Sequence, residues 1–193
     1  MVFFPNVSVP LYLFEERYQA MLDDTLDSDR LFVLACKDPL RKSFPNSEDS
    51  PCSVATAGIM RSCKRNPDGT ANLMLQGLAR VAITNITTEE PYPIVDIETF
   101  ETQPGADDEE LDHQRSATEK LILENLQAYQ IATDQIMETL KQLQGPEVFL
   151  DCAVSVVCQD VFVKQQLLEE LEVYQRFKTF NEYLKKENDL MSE

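Results

Sequence analysis

Five cysteines and one histidine are the side chains of this 193-residue sequence best suited to metal or nucleophilic chemistry. The cysteines are Cys36, Cys52, Cys63, Cys152 and Cys158, and none forms a C-x-x-C pair. A zinc site wants four Cys or His ligands in close pairs, so Cys36, Cys52 and Cys63 would need a fourth ligand from far away. The expectation is buried or half-buried thiols and no metal. His113 lies beside the acidic run 107–112, a solvated stretch, and one imidazole can serve one site at most. The five glycines (Gly58, Gly69, Gly77, Gly105, Gly145) spell neither G-x-x-x-x-G-K-[ST] nor G-x-G-x-x-G, the two common phosphate cradles. A G-x-S-x-G elbow is also missing. Carboxylates abound, but neighbours such as Glu15-Glu16 and Glu169-Glu170 are what a solvated helix face carries. Enzymatic chemistry finds no foothold here, and no cofactor is expected.

The elements that would position any site change character along the chain. Residues 14–26 place Phe14, Tyr18, Met21, Leu22 and Leu26 at helical spacing, which predicts a short amphipathic helix with Phe14 and Tyr18 on its inner face. Residues 31–35 form a continuous apolar run of strand length, and 37–53, with Pro39, Pro45 and Pro51, read as a loop. Segments 56–63 and 71–76 flank Asn66-Pro67-Asp68-Gly69, a hairpin signal in which Asp-Gly tolerates positive φ. Residues 79–86 predict a further strand with a bulge near Asn85, and Ile94, Ile97 and Phe100 mark a last β-like segment. The turn former Gln103-Pro104-Gly105 then opens a helical part, so the expected division is 1–104 and 105–193. There Ile122, Leu126, Tyr129, Thr133, Ile136, Leu140 and Leu143 alternate steps of 4 and 3, a coiled-coil type of seam. Gly145-Pro146 ends that helix and starts a buried one over 147–158. A final helix is expected from Lys164 with Leu167, Leu171, Tyr174 and Phe177 inward.

Charge limits the partners. Asp and Glu number 34 against 17 Lys and Arg, a net charge of -17. Residues 1–100 carry -5 and 101–193 carry -12. Such a chain repels phosphates, which disfavours nucleic acid and anionic membrane surfaces. No run approaches the roughly 18 apolar residues of a membrane span. The start has no Lys or Arg, and Pro5 and Pro10 interrupt its apolar stretch, unlike a signal peptide. A cytoplasmic protein with reduced thiols is expected.

One stretch is distinctive: Phe3-Phe4-Pro5, then Val9-Pro10-Leu11-Tyr12-Leu13-Phe14-Glu15-Glu16-Arg17-Tyr18. With Gly58-Ile59-Met60, Asn66-Pro67-Asp68-Gly69, Leu73-Met74-Leu75-Gln76-Gly77 and Arg80, Pro91-Tyr92-Pro93, and Lys164-Gln165-Gln166-Leu167-Leu168-Glu169 with Arg176, it resembles the Lon protease amino-terminal domain over nearly the whole chain. The resemblance implies an α+β protein: a PUA-like β pseudo-barrel with one short helix, followed by a C-terminal helical bundle. It also implies recognition of unfolded or tagged proteins without catalysis, since the ATPase and Ser-Lys protease domains of that family are not in this sequence. A free-standing recognition module that delivers proteins to a separate ATP-dependent protease is the expectation. Family members often carry a further short strand before the F-P element, for which Met1 leaves almost no room; either a sheet edge is less covered here or translation starts further upstream.

Peptide binding needs exposed apolar surface or a free strand edge. The expected binding side chains are Phe3, Phe4, Tyr12, Phe44, Met60 and Met74, with Phe44 in the Pro-rich loop beside Arg41 and Lys42. Met suits such a surface because its thioether adapts to varied partners. Arg61, Lys64 and Arg65 form a small basic group on the hairpin that would attract acidic peptide segments. Structural roles are expected for Pro10, Phe14, Glu15, Arg17, Tyr18, Asp68, Gly69, Gly77 and Arg80: Gly69 for its turn, Gly58 and Gly77 for close backbone approach, Arg17 and Arg80 for ion pairs or backbone hydrogen bonds. The alternative is an assembly protein that dimerises through the 122–143 seam. RNA binding, known for PUA-like folds, is opposed by the charge.

Overall fold

The computed structural model describes residues 1–38, 40, 42–44, 46–47, 50–131 and 133–191. Pro39, Arg41 and Pro45, part of the predicted loop, lie outside them. The protein is α+β, and its chain separates into two compact units, Met1–Phe100 and Glu101–Glu193.

In the first unit an N-terminal segment leads into β1 (Ser8–Leu13), α1 (Arg17–Leu26) and β2 (Leu31–Leu34). Then come β3 (Val54–Arg65), β4 (Ala71–Thr88) and β5 (Ile94–Thr99). All pairings are antiparallel, in the order β1-β4-β3-β2, with β5 also on β4. The β3–β4 hairpin is the frame. Gly69 closes its turn at φ 87°, the Asn66 N–H donates to the Thr70 carbonyl at 2.8 Å, and the Asp68 carboxylate accepts the Thr70 N–H at 3.1 Å. The hairpin and Asn-Pro-Asp-Gly turn are therefore where the sequence places them. The two strands predicted over 71–76 and 79–86 are one, β4, bent at register shifts that include Ile83/Asn85.

Strict alternation in β4 buries Ala71, Leu73 and Leu75 and exposes Asn72 and Met74. The buried set packs with Phe3, Leu13, Leu22 and Met60, and α1 covers it with Tyr18, Met21 and Leu26. A second cluster, Ala55, Val81 and Ile83, is covered by Val33, Phe44 and Val95. The helix starts at Arg17 rather than 14, so Phe14 lies ahead of it and is 64% exposed. That corrects its expected role as a core anchor, whereas Tyr18 packs as expected. The strand β1 went unread because Pro10 sits inside it; as an edge strand it needs no ladder N–H from that residue on its open side.

The second unit holds α2 (Asp108–Ala128), α3 (Thr133–Gln142), α4 (Pro146–Val157), α5 (Val161–Glu169) and α6 (Val173–Met191). Asp107 caps α2 by accepting the Glu110 N–H at 2.9 Å, as the acidic start suggested. The predicted 122–143 helix is broken: Gln130 takes φ 54° and separates α2 from α3. The predicted final helix is broken too, between α5 and α6.

The seam is closed within the chain. Ile122 and Leu126 are buried as α2 packs on α6. Thr118 Oγ1 donates to Asn181 Oδ1 at 2.7 Å, and Asn125 Nδ2 donates to Asn188 Oδ1 at 3.0 Å. Both pairs span 63 residues, so α2 and α6 run parallel with the contact repeated one heptad on. Dimerisation through these side chains would have to displace α6. Across the unit, the buried Arg176 bridges α6 to α4, reaching Asp151 at 3.1 Å and Glu147 at 2.7 Å.

Candidate functional site

Residues opposite one another in an antiparallel ladder project from the same face. On the outer face of the first unit, Tyr12 lies opposite Asn72, itself opposite Lys64, and Pro10 lies opposite Met74, itself opposite Ser62. The row continues with Leu31 opposite Ile59. Tyr12 is 53% exposed and Met74 38%, and both are apolar or aromatic. The Tyr12 ring stacks on Phe14, centroids 6.2 Å apart and planes at 24°. Diagonal neighbours in such a ladder are about 7–8 Å apart, within reach of aromatic and Met side chains. Pro10, Tyr12, Phe14, Met74, Ile59 and Leu31 thus give the sheet an apolar outer surface.

Its margin is polar and partly basic. Arg61 stands at the register shift between Met60 and Ser62 and donates from Nε to Gln76 Oε1 at 2.6 Å. Lys64 is exposed in the Tyr12 row. Arg65 forms an ion pair with Asp23. Arg17 pairs with Glu15 at 3.1 Å and lies over the Tyr18 ring at 4.6 Å. At the hairpin tip the Thr70 hydroxyl, donating to Asp68, holds that carboxyl below its ordinary range, and the Thr70 N–H adds to the effect.

Of the expected binding side chains, Tyr12 and Met74 come together on this face. Phe3 and Phe4 are 1% exposed and Met60 3%, so they face the core and cannot meet a peptide. Phe3 stacks on Phe32 at 6.4 Å, and Met60 lies opposite Leu75 on the inner face. No periodic pattern surrounds Phe3-Phe4, so their burial had no signal in the sequence. Phe44 is half-buried against Ala55, Val81 and Ile83, a packing role. Phe14, read as core, belongs to the exposed face instead. Leu31 and Ile59 were missed because two-residue periodicity alone does not say which face is covered.

The backbone beneath is fixed by close approach. A Cβ on Gly77 would lie 2.1 Å from the Phe4 carbonyl oxygen, and one on Gly58 would lie 2.8 Å from the Phe32 ring. Thr56 Oγ1 donates to the Phe3 carbonyl, tying the N-terminal segment to β3. Arg80 is buried at 2% exposure.

Cys158 and Lys164 are arranged for packing. Burial pushes the Cys158 thiol up, the opposite of what a nucleophile needs, and burial pulls the nearby Lys164 ammonium down. Lys164 donates to the Ser155 carbonyl at 2.9 Å. Among the described residues no group of three or more His, Cys, Asp or Glu is placed to hold a metal ion. Among them, too, no helix is long and apolar enough to cross a membrane.

The model of the ATP-dependent protease La (LON) substrate-binding domain matches residues 1–186. The Lon protease of Geobacter metallireducens is 28% identical over 193 residues, covering 99% of this chain and 23% of that protein. The Lon protease of Fervidobacterium nodosum is 28% identical over 194 residues, with 99% and 23% covered. The chain thus spans about 23% of the length of these curated relatives. Among solved structures, the N-terminal domain of Mycobacterium avium complex Lon protease superposes with TM-score 0.70 at 18% identity, covering 98% of this chain and 93% of that one. The Lon N-terminal domain protein from Xanthomonas campestris gives TM-score 0.62 at 15% identity, with 93% and 90% covered.

Proposed function

Because the chain belongs to the Lon substrate-binding domain family, we propose that it is a non-catalytic polypeptide-recognition module that holds apolar segments of unfolded or tagged proteins on the outer sheet face of its first unit. It then passes them to a separate ATP-dependent protease. The matched family region is the substrate-binding part of Lon, not its catalytic domains. The observation that carries the reading is the alignment of exposed Tyr12, Phe14 and Met74 on one face. Aromatic side chains supply large contact area and the flexible Met thioether adapts to varied sequences, which suits a binder of many unfolded chains.

Fluorescence anisotropy of a labelled unfolded polypeptide, without ATP and at low and high salt, tests this. Saturable binding that survives high salt is expected. The double substitution Tyr12→Ser with Phe14→Ser weakens it about tenfold or more, since buried aromatic anchors dominate such interfaces. Unchanged affinity in that variant, with its fold intact by circular dichroism, overturns the assignment to this face. Delivery is tested separately, by asking whether the protein accelerates degradation of a bound polypeptide by a purified ATP-dependent protease.

A further inference from the structure

Cys36 and Cys52 stand across from one another at the neck of the loop between β2 and β3. The Cys52 N–H donates to the Cys36 carbonyl at 2.8 Å and the Asp38 N–H to the Ser50 carbonyl at 2.7 Å. These two bonds bracket the antiparallel bridge Lys37↔Pro51. That register sets Cys36 and Cys52 opposite one another, joined by the single bond from the Cys52 N–H. Opposed residues of antiparallel strands have Cα atoms about 4.5–5.5 Å apart and side chains on one face. Disulfides close over Cα separations of about 4.4–6.8 Å. The burial pattern agrees with a shared face: Cys36 and Asp38 are buried with Lys37 exposed between them, and Ser50 and Cys52 are buried with Pro51 half-buried between them.

The neck is held independently of the sulfurs. The Asp38 carboxylate accepts N–H groups from Leu40 at 2.9 Å, Lys42 at 2.8 Å and Ser43 at 3.2 Å. Cys36 and Cys52 are 9% and 8% exposed, so a small oxidant reaches them more readily than a second protein does. Cys152 and Cys158 have no comparable register. They lie six residues apart along α4 and its cap, and Cys63 lies toward the far end of β3.

We propose that Cys36 and Cys52 are a modification site, oxidised by hydrogen peroxide to an intramolecular disulfide that locks this neck. One thiolate attacks the peroxide, the O–O bond breaks, and the departing oxygen leaves as water with the thiol's proton. The resulting sulfenic acid is attacked by the second sulfur. The S–S bond forms, the S–O bond breaks, and a second water carries off the second proton. Two electrons pass from the sulfurs to the peroxide, and a dithiol reverses the change by becoming a disulfide itself.

The test treats the purified, intact protein with hydrogen peroxide, blocks remaining thiols under denaturing conditions, and reads intact mass and a peptide map. The expected product has lost two hydrogens and contains a Cys36–Cys52 crosslinked peptide that dithiothreitol removes. The crosslink is absent in Cys36→Ser and in Cys52→Ser and persists in Cys63→Ser. Oxygen added to either cysteine without a crosslink overturns the proposal. So does a crosslink through other cysteines or between molecules, or a Cys36–Cys52 pair still reduced once Cys63 is oxidised. The wild-type map decides the matter even if a serine variant fails to fold.

Discussion

Gly77 is the residue at which a single methyl group meets backbone. Its Cβ would stand 2.1 Å from the Phe4 carbonyl oxygen, too close for any rotamer change to relieve. Gly77→Ala is expected to cost about 2 kcal/mol or more, as overpacking does where the obstacle is main chain. A lower urea midpoint, with the hydrogen-exchange protection of residues 2–7 lost first, is the expected readout. Tyr183 supplies a pH signature. Burial is the main cause that pushes its phenol up to about 12, with the Gln159 N–H donating to its oxygen at 3.3 Å and opposing that shift. The folded protein therefore keeps a proton that the unfolded chain loses near the ordinary 10.0. This contribution to stability is complete below pH 10, and falls as pH rises toward about 12. Tyr183→Phe should lose less stability across that window than the wild type, measured as urea midpoint against pH. The slope will not vanish, because Tyr92 and Tyr129, which donate to Asp24 and Glu187, are raised in the same direction.

The β3–β4 hairpin shows what an element contributes apart from the proposed binding face. Gly69 at φ 87° occupies a conformation that costs an L-residue about 1–2 kcal/mol. Gly69→Ala should therefore lower stability by about that amount while leaving polypeptide affinity unchanged, with urea titration and anisotropy run on the same sample. This turn was readable because Asn-Pro-Asp-Gly combines a fixed φ, a side-chain acceptor and a residue free of Cβ within four positions. Strand identity was readable where alternation ran clean, as in Ala71 to Gln76. The helical part was harder. Steps of 4 and 3 from Ile122 to Leu143 suggested one continuous helix, yet local periodicity carries no information about a reversal such as that at Gln130. The same pattern passed over Thr118 and Asn125, because polar side chains at a buried helix face look like surface until their partners, Asn181 and Asn188, are known. The proposed binding face was half legible for a related reason. Alternation separates the two faces of a strand, but only the packed α1 and the N-terminal segment decide which one is covered.

At the scale of the molecule, a net charge of -17 acts on every ligand. Basic unfolded polypeptides should bind more tightly than acidic ones at low salt, and the difference should shrink as salt shortens the Debye length to about 3 Å near 1 M. Anisotropy titrations with two peptides of equal apolar content and opposite charge measure this. A difference that persists at high salt would assign the selectivity to local contacts such as Lys64 rather than to the field. The parallel pairing of α2 and α6 also sets a timetable. The partners that cover α2 lie 63 positions later in the chain. At about 5–20 residues per second of synthesis, α2 waits roughly 3 to 13 s for them. During that interval Ile122 and Leu126 are bare, while the β3–β4 hairpin already has all its strands. A protein proposed to hold unfolded chains therefore passes, each time it is made, through an interval in which its own second half is one.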